Sequence, residues 1–334
     1  MTSAAGPIID IRDLHVGFTG ERTVHALNGV DIALAQGEVL GLLGESGSGK
    51  SVTLKALLRI LPARRTQIGG TIRVAGQDVL AMSEAALEDY RGGVVSMIFQ
   101  EPMLALDPVY TIGDQIAETV VRHKGVSNAD GRRHALEMLE AVRIPSAMRR
   151  LDAYPHEMSG GMRQRAMIAL ALSCGPKVLL ADEPTTALDA TVQIQILLLL
   201  RELQREMGMA VIFVTHDIGV AVEISDRIAV MYAGRIVETG SLRDVVKTPV
   251  HPYTRGLLAS TIHGASRGKR LEAIPGALPW LDRLPPGCAF APRCALALPD
   301  CTKGEIAAVP LTPVHHARCI MALAGIQQQK APVD

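Results

Sequence analysis

Two periods of apolar residues organise this chain. Residues 8–16 and Val24–Leu34 alternate apolar with polar positions and predict two early strands, separated by a turn at Thr19-Gly20-Glu21. Val39–Leu43 is apolar throughout, the pattern of a buried strand. After a glycine-rich turn, Leu54, Leu57 and Leu58 return at helical spacing. Residues 69–74 and 76–79 predict a hairpin-like pair, and residues 94–99 a short strand that ends in Gln100. From Glu101 the character changes. Pro102 and Pro108 stand at the head of a segment with Ile112, Ile116, Val120, Leu136, Leu139 and Val142 at helical spacing, which predicts a helical insertion over about 101–172. Residues 177–183, KVLLADE, read as a strand whose apolar run after Lys177 ends in Asp182 and Glu183. A helix with a wide leucine face over 193–207, a strand over 211–214 and a hairpin joined at Ala233-Gly234 complete the core. Strands interleaved with helices predict an α/β fold.

The turn after Val39–Leu43 carries the first chemistry. Gly44-Glu45-Ser46-Gly47-Ser48-Gly49-Lys50-Ser51, continued by Val52, matches G-x-x-x-x-G-K-[ST] in the strand–loop–helix setting that a P-loop requires. Its glycines let successive N–H groups turn inward around an anion, and the helix start adds the positive end of its dipole. Lys50 is expected to reach the β/γ-phosphates and the Ser51 hydroxyl to ligate Mg²⁺.

Asp182 and Glu183 end a strand, where α/β sheets place ligands. Asp182 fits the acid that accompanies a P-loop on its metal, and Glu183 is placed to polarise a water. Ser159-Gly160-Gly161 at a helix start pairs a hydroxyl with exposed N–H groups, a second anion-binding geometry, although an ordinary helix cap reads the same. Asp189 lies in the turn after Glu183, and His216 follows the 211–214 strand. Phe18, at the end of the first strand, is either core or a ring for stacking a purine.

Composition limits the alternatives. The chain has 334 residues, enough for roughly two domains, and 48% are hydrophobic. Lys+Arg and Asp+Glu are each 34, so charge gives no argument for nucleic acid. The longest aliphatic run near the middle, residues 196–200, is far too short for a bilayer, and residues 1–10 lack the basic and apolar regions of a signal peptide. A soluble, cytoplasmic chain is expected. Of five cysteines, Cys174 stands alone as an expected buried, inert thiol. Cys288, Cys294, Cys301 and Cys319 crowd together at C-x5-C-x6-C-x17-C.

The P-loop, Gln100, MSGGMRQR, LLADE, ALD and His216 occur in one order that resembles the nucleotide-binding subunit of ABC transporters over about residues 8–240. The resemblance implies an ABC-type P-loop ATPase domain over 1–240 with a helical subdomain. It implies two such subunits facing head to tail, each ATP held between one P-loop and the other subunit's S-G-G. Gln100 becomes the residue that touches Mg²⁺ and links to the membrane partner. Ser159, Gly160 and Gly161 become the γ-phosphate grip, Asp189 the contact across the dimer, His216 the switch, and Phe18 the adenine-stacking ring. Met158 and Met162 replace the usual Leu and Gln around S-G-G, and both changes keep the hydroxyl and the backbone donors.

HPYTRGLL (His251 to Leu258), AIPGALP (Ala273 to Pro279) and LPPGCAFAPRC (Leu284 to Cys294) are similar to the ATPase subunits of dipeptide/oligopeptide and nickel importers. This implies ATP-driven uptake of di- or oligopeptides, with nickel or another small solute as the alternative. It also implies two permease subunits, a second ATPase subunit, an extracytoplasmic binding protein and a peripheral place on the cytoplasmic face of the membrane. An exporter or a non-transport ABC ATPase is disfavoured, because no membrane span, long coiled coil, zinc-hook pair or tandem cassette is present. The 241–334 region is expected to be proline-rich, with little core of its own. Two disulfides do not suit a reducing cytosol. Four thiolates can hold Zn²⁺ or an iron–sulfur cluster; the resemblance implies [4Fe–4S], with Zn²⁺ or free thiols left open. His315 and His316 are expected at the surface, or as substitute ligands.

Overall fold

The structure is a computed structural model that describes residues 6–186, 188–260 and 274–322. Ala187 of the ALD turn and Ala273 of the AIPGALP stretch lie outside the described residues. The chain forms two compact units: Met1–Ile8, Leu34–Glu38 and Val74–Phe213 make one, and Ile9–Ala33, Val39–Arg73 and Val214–Asp334 the other. No helix among the described residues is long and apolar enough to cross a membrane.

In the first unit, strands Val95–Ile98 and Val178–Asp182 run parallel, with Val95 opposite Val178 and Ile98 opposite Ala181. Val178–Asp182 is buried at every position, so no alternation marks it. The expected insertion is helical: Pro102–Ala105, Ile112–Lys124, Asn128–Ala141, Ala147–Arg150 and Gly160–Leu172. Ile112, Ile116 and Val120 on one helix, and Ala135 and Leu139 on the next, are buried at the spacing read from the sequence. Thr111 and Ser127 cap these two helices through their hydroxyls. A further helix, Glu84–Gly93, capped by Ser83, carries only Leu87 and Tyr90 buried. Two apolar anchors leave too little periodicity to announce it. Cys174, expected buried, is half-buried, and its thiol lies 3.7 Å from the Thr119 carbonyl.

In the second unit, Ile9–Phe18 is paired between Val24–Leu34 and Thr66–Val74. A second sheet sets Val39–Leu43 parallel to Arg227–Tyr232, which turns back through Ala233 and Gly234, both at positive φ, into Arg235–Ser241. This is the predicted hairpin, but it does not close the sheet. His316–Ala317 pairs with the outer edge of Arg235–Ser241, and Val309–Pro310 pairs with His316–Ala317. The C-terminal region therefore supplies strands to the core sheet, and the expectation of little core of its own is corrected. Tyr253 and Phe290 are buried in one cluster with Leu43, Val230 and Tyr232, and Val309, Ala317, Cys319 and Ala322 form another. His315 is likewise not a surface residue: it is buried against Glu238.

Candidate nucleotide site

The second unit carries the phosphate loop. Strand Val39–Leu43 is wholly buried, which fixes where the loop starts, and helix Lys50–Leu57 leaves it. Gly44 has φ 156°, and a Cβ there would stand 2.2 Å from the Met231 carbonyl oxygen. Gly49, at φ 110°, would drive a Cβ to within 3.0 Å of Leu27, Met231 and the Ala26 carbonyl. Only glycine lets the loop lie this close to the neighbouring strands. The helix it feeds has no side-chain cap, whereas Ser83, Thr111, Ser127, Asp189 and Asp217 all cap theirs. Lys50 is buried and curls back over the loop, its ammonium donating to the carbonyls of Gly44 at 2.7 Å and Glu45 at 2.9 Å. Ser46 and Gly47 face solvent, Ser48 is buried, and Ser51 and Val52 are half-buried. Phe18 ends its strand half-buried, and His216 is exposed after the strand Ala210–Thr215.

The first unit carries the acids. Asp182 ends its strand buried. Glu183 follows it in a left-handed conformation, φ 46°, which costs a non-glycine residue about 1–2 kcal/mol. That turn aims its carboxylate at two polar side chains: Thr186 Oγ1 donates to Oε2 at 3.0 Å, and the exposed Gln100 amide lies 3.5 Å from the same oxygen. The structure thus brings Gln100 and Glu183 together, as residues on two adjacent parallel strands can be. The sequence does not mark Thr186 as a site residue, because nothing in PTTALDA separates a carboxylate-orienting hydroxyl from a turn hydroxyl. Ser159 and Gly160 are exposed at the start of helix Gly160–Leu172. The Ser159 hydroxyl accepts from Met162 N–H at a long 3.4 Å, and Asp189 caps helix Ala190–Met207.

The sequence matches the family "ABC transporter" over residues 27–186 and "Oligopeptide/dipeptide transporter, C-terminal region" over residues 237–301. A putative peptide import ATP-binding protein of Brucella melitensis is 49% identical over 330 residues, covering 94% of this chain and 97% of its own. A probable peptide ABC transporter ATP-binding protein of Sinorhizobium fredii is 50% identical over 316 residues, 93% of this chain and 94% of its own.

The chain belongs to the ABC transporter family.

Among solved structures, the ATP-binding cassette MJ0796, a dimer in a post-hydrolysis state with ADP and Pi, aligns at TM-score 0.63 and 29% identity over 70% of this chain and 99% of its own. The cbiO1 protein of Clostridium perfringens, part of a cbiONQ transporter complex, aligns at 0.63 and 27% over 73% and 92%. As an ABC ATPase the chain uses ATP and Mg²⁺, and its phosphate loop fits that use. The glycines let its backbone lie against the neighbouring strands, the helix start has no side-chain cap, and an ammonium sits in the loop itself.

The four clustered cysteines are unpaired by disulfides. Burial pushes the thiols of Cys288, Cys294 and Cys319 upward, and charge on the neighbouring cysteines adds to it. Among the described residues, however, no group of three or more His, Cys, Asp or Glu is arranged to hold a metal ion. The expected [4Fe–4S] ligation by Cys288, Cys294, Cys301 and Cys319 finds no ligand geometry here.

Proposed function

We propose that this ABC ATPase powers the uptake of di- or oligopeptides. The observation that carries the substrate class is the pairing of an ABC cassette with an oligopeptide/dipeptide-type C-terminal region in one chain. Relatives about half identical over nearly their whole length bear peptide-import names. In this reading residues 1–240 form the ATPase domain and residues 241–334 the importer-type region. The partners are two membrane permeases, a second ATPase subunit and an extracytoplasmic binding protein. The chain works peripherally at the cytoplasmic face.

The residue roles are those that the family resemblance carries onto the matching positions, and the chemistry of Lys50, Ser51, Asp182 and Glu183 suits theirs. The loop 44–52 wraps the phosphates, and Lys50 neutralises their charge. Ser51, Gln100 and Asp182 supply oxygens for Mg²⁺, which when bound withdraws charge from the phosphoryl oxygens. Glu183 orients or deprotonates the attacking water, and His216 senses the terminal phosphate. Phe18 stacks on adenine. Ser159, Gly160, Gly161 and Asp189 serve the ATP of the facing subunit. We also propose that the four C-terminal thiols take up a [4Fe–4S] cluster as a structural staple. The support is the likeness of this region to peptide-importer subunits and the absence from the sequence of a C-x2-C pair, the spacing typical of zinc knuckles. Anaerobically purified protein is then expected to hold about four irons per chain with acid-labile sulfide; zinc in a colourless preparation overturns it.

The test of function is the assembled complex in liposomes. ATPase turnover stimulated by short peptides through the binding protein supports the reading. Stimulation by nickel or another small solute, with none by peptides, overturns the substrate class.

A further inference from the structure

Glu45, the second residue of the phosphate loop, is held from the far end of the chain. Arg293 Nη1 donates to its Oε2 at 2.7 Å, and Nη2 donates to its Oε1 at 3.0 Å. This is a two-pronged guanidinium–carboxylate pair, the strongest ion-pair geometry available to these side chains. The Arg293 side chain is 7% exposed. Its remaining donor directions are also used, toward the Pro275 carbonyl at 2.8 Å, the Ile274 carbonyl at 3.3 Å and the Tyr232 hydroxyl at 3.3 Å. Its charge lies 5.8 Å and 5.9 Å from the ring centres of Tyr232 and Phe290. The main chain of Glu45 is held as well. Its N–H donates to the Tyr253 hydroxyl at 2.8 Å, and its carbonyl is one of the two that receive the Lys50 ammonium.

A carboxylate at this position is unexpected on electrostatic grounds. The loop receives a polyanion, and an uncompensated negative charge one residue from Gly44 opposes its entry. The surrounding region supplies the compensation: Arg293 neutralises the carboxylate and draws it to the side occupied by residues 274–293. With Tyr253, it fixes the peptide whose carbonyl positions Lys50.

We propose that Arg293 is a positioning residue of the ATP site, which acts through Glu45 to set the affinity of the phosphate loop for ATP. The C-terminal region is then a working part of the nucleotide site. Because Arg293 directly precedes Cys294, any group bound by the cysteines is one peptide bond from this contact. The proposal rests on the reading that the loop binds ATP.

The test is ATP dissociation constants for the full-length chain at low and high salt, with Arg293→Ala, Arg293→Lys and Glu45→Gln alone and with Arg293→Ala combined with Glu45→Gln. Arg293→Ala is expected to weaken ATP binding about tenfold at low salt, and high salt is expected to recover part of the loss by screening. In the Glu45→Gln background the same Arg293→Ala change is expected to cost less than threefold, because no carboxylate remains to be neutralised. Arg293→Lys keeps the charge and loses the fork, and carries the test where Arg293→Ala does not fold; it is expected to weaken binding less than fivefold. An equal, salt-insensitive loss in both backgrounds would show a purely structural contact and overturn the proposal. So would an Arg293→Ala affinity equal to that of the wild type. A wild-type chain that fails to bind ATP defeats the underlying ATPase reading instead.

Discussion

Glu238 and His315 meet at 2.9 Å, carboxylate to imidazole, with both side chains out of solvent. Glu238 lies in the strand Arg235–Ser241 and His315 just before His316–Ala317, which pairs with it. The carboxylate also accepts the N–H groups of Val250 and His251, each at 2.9 Å. One buried acid thus ties together the strand, the start of helix Pro252–Ala259 and the C-terminal strand pair.

Removing the acid strands three donors, whereas removing the histidine leaves the carboxylate two of its partners. Glu238→Ala is therefore expected to destabilise the protein by about 3 kcal/mol or more, since a buried donor left unsatisfied costs about 1–3 kcal/mol, and His315→Ala by less. Thermal unfolding of the two variants gives the ranking. Equal or reversed losses would show that the pair does not organise this region.

Burial lowers the pKa of His251 from 6.5 to about 4. Its Nδ1 accepts Tyr253 N–H at 3.1 Å, so a proton there would face another donor. The folded state binds fewer protons at this site than the unfolded one. His251 therefore contributes stability that is complete above about pH 6.5 and is lost as pH falls toward 4, on the order of 3 kcal/mol. Denaturant titrations at pH 7, 5.5 and 4 are expected to show this loss, and His251→Asn, which keeps a capping acceptor, to flatten it. A slope unchanged by the substitution would assign the loss to other groups.

Gly44→Ala places a methyl group 2.2 Å from the Met231 carbonyl. Neither backbone can give way without moving the buried strands Val39–Leu43 and Arg227–Tyr232. Loss of ATP binding and destabilisation by about 2 kcal/mol or more are expected. Nucleotide binding and thermal unfolding measure both, and a variant that binds ATP normally would show that the loop tolerates a different path.

Glu183→Gln keeps the shape of the side chain and its contact with Thr186, but removes the base. Turnover of the assembled complex is expected to fall about 10²–10⁴-fold, with ATP affinity within a fewfold of wild type. Single-turnover hydrolysis and ATP binding on the same preparation separate the two effects. Unchanged turnover would place the base elsewhere.

The sequence by itself determined the elements whose patterns are local. The wholly apolar strand Val39–Leu43, the glycine-spaced loop with Lys50 and Ser51, the helical insertion and the Ala233-Gly234 hairpin each follow from neighbours in the chain. So does the α/β class, because strand and helix periods alternate. Three matters needed the tertiary structure. Helix Glu84–Gly93 carries no legible pattern, because two buried residues make no period. The orientation of Glu183 depends on a left-handed backbone angle that residue type does not encode. The C-terminal region looks from its prolines and cysteines like a tail with little core, whereas it gives strands to the core sheet, buries Tyr253, Phe290 and His315, and grips the phosphate loop through Arg293. An arginine beside a cysteine and a glutamate within a P-loop each look like solvated surface in one dimension. Burial turns a weak surface attraction into a fixed contact, and only folding brings residues 45 and 293 together.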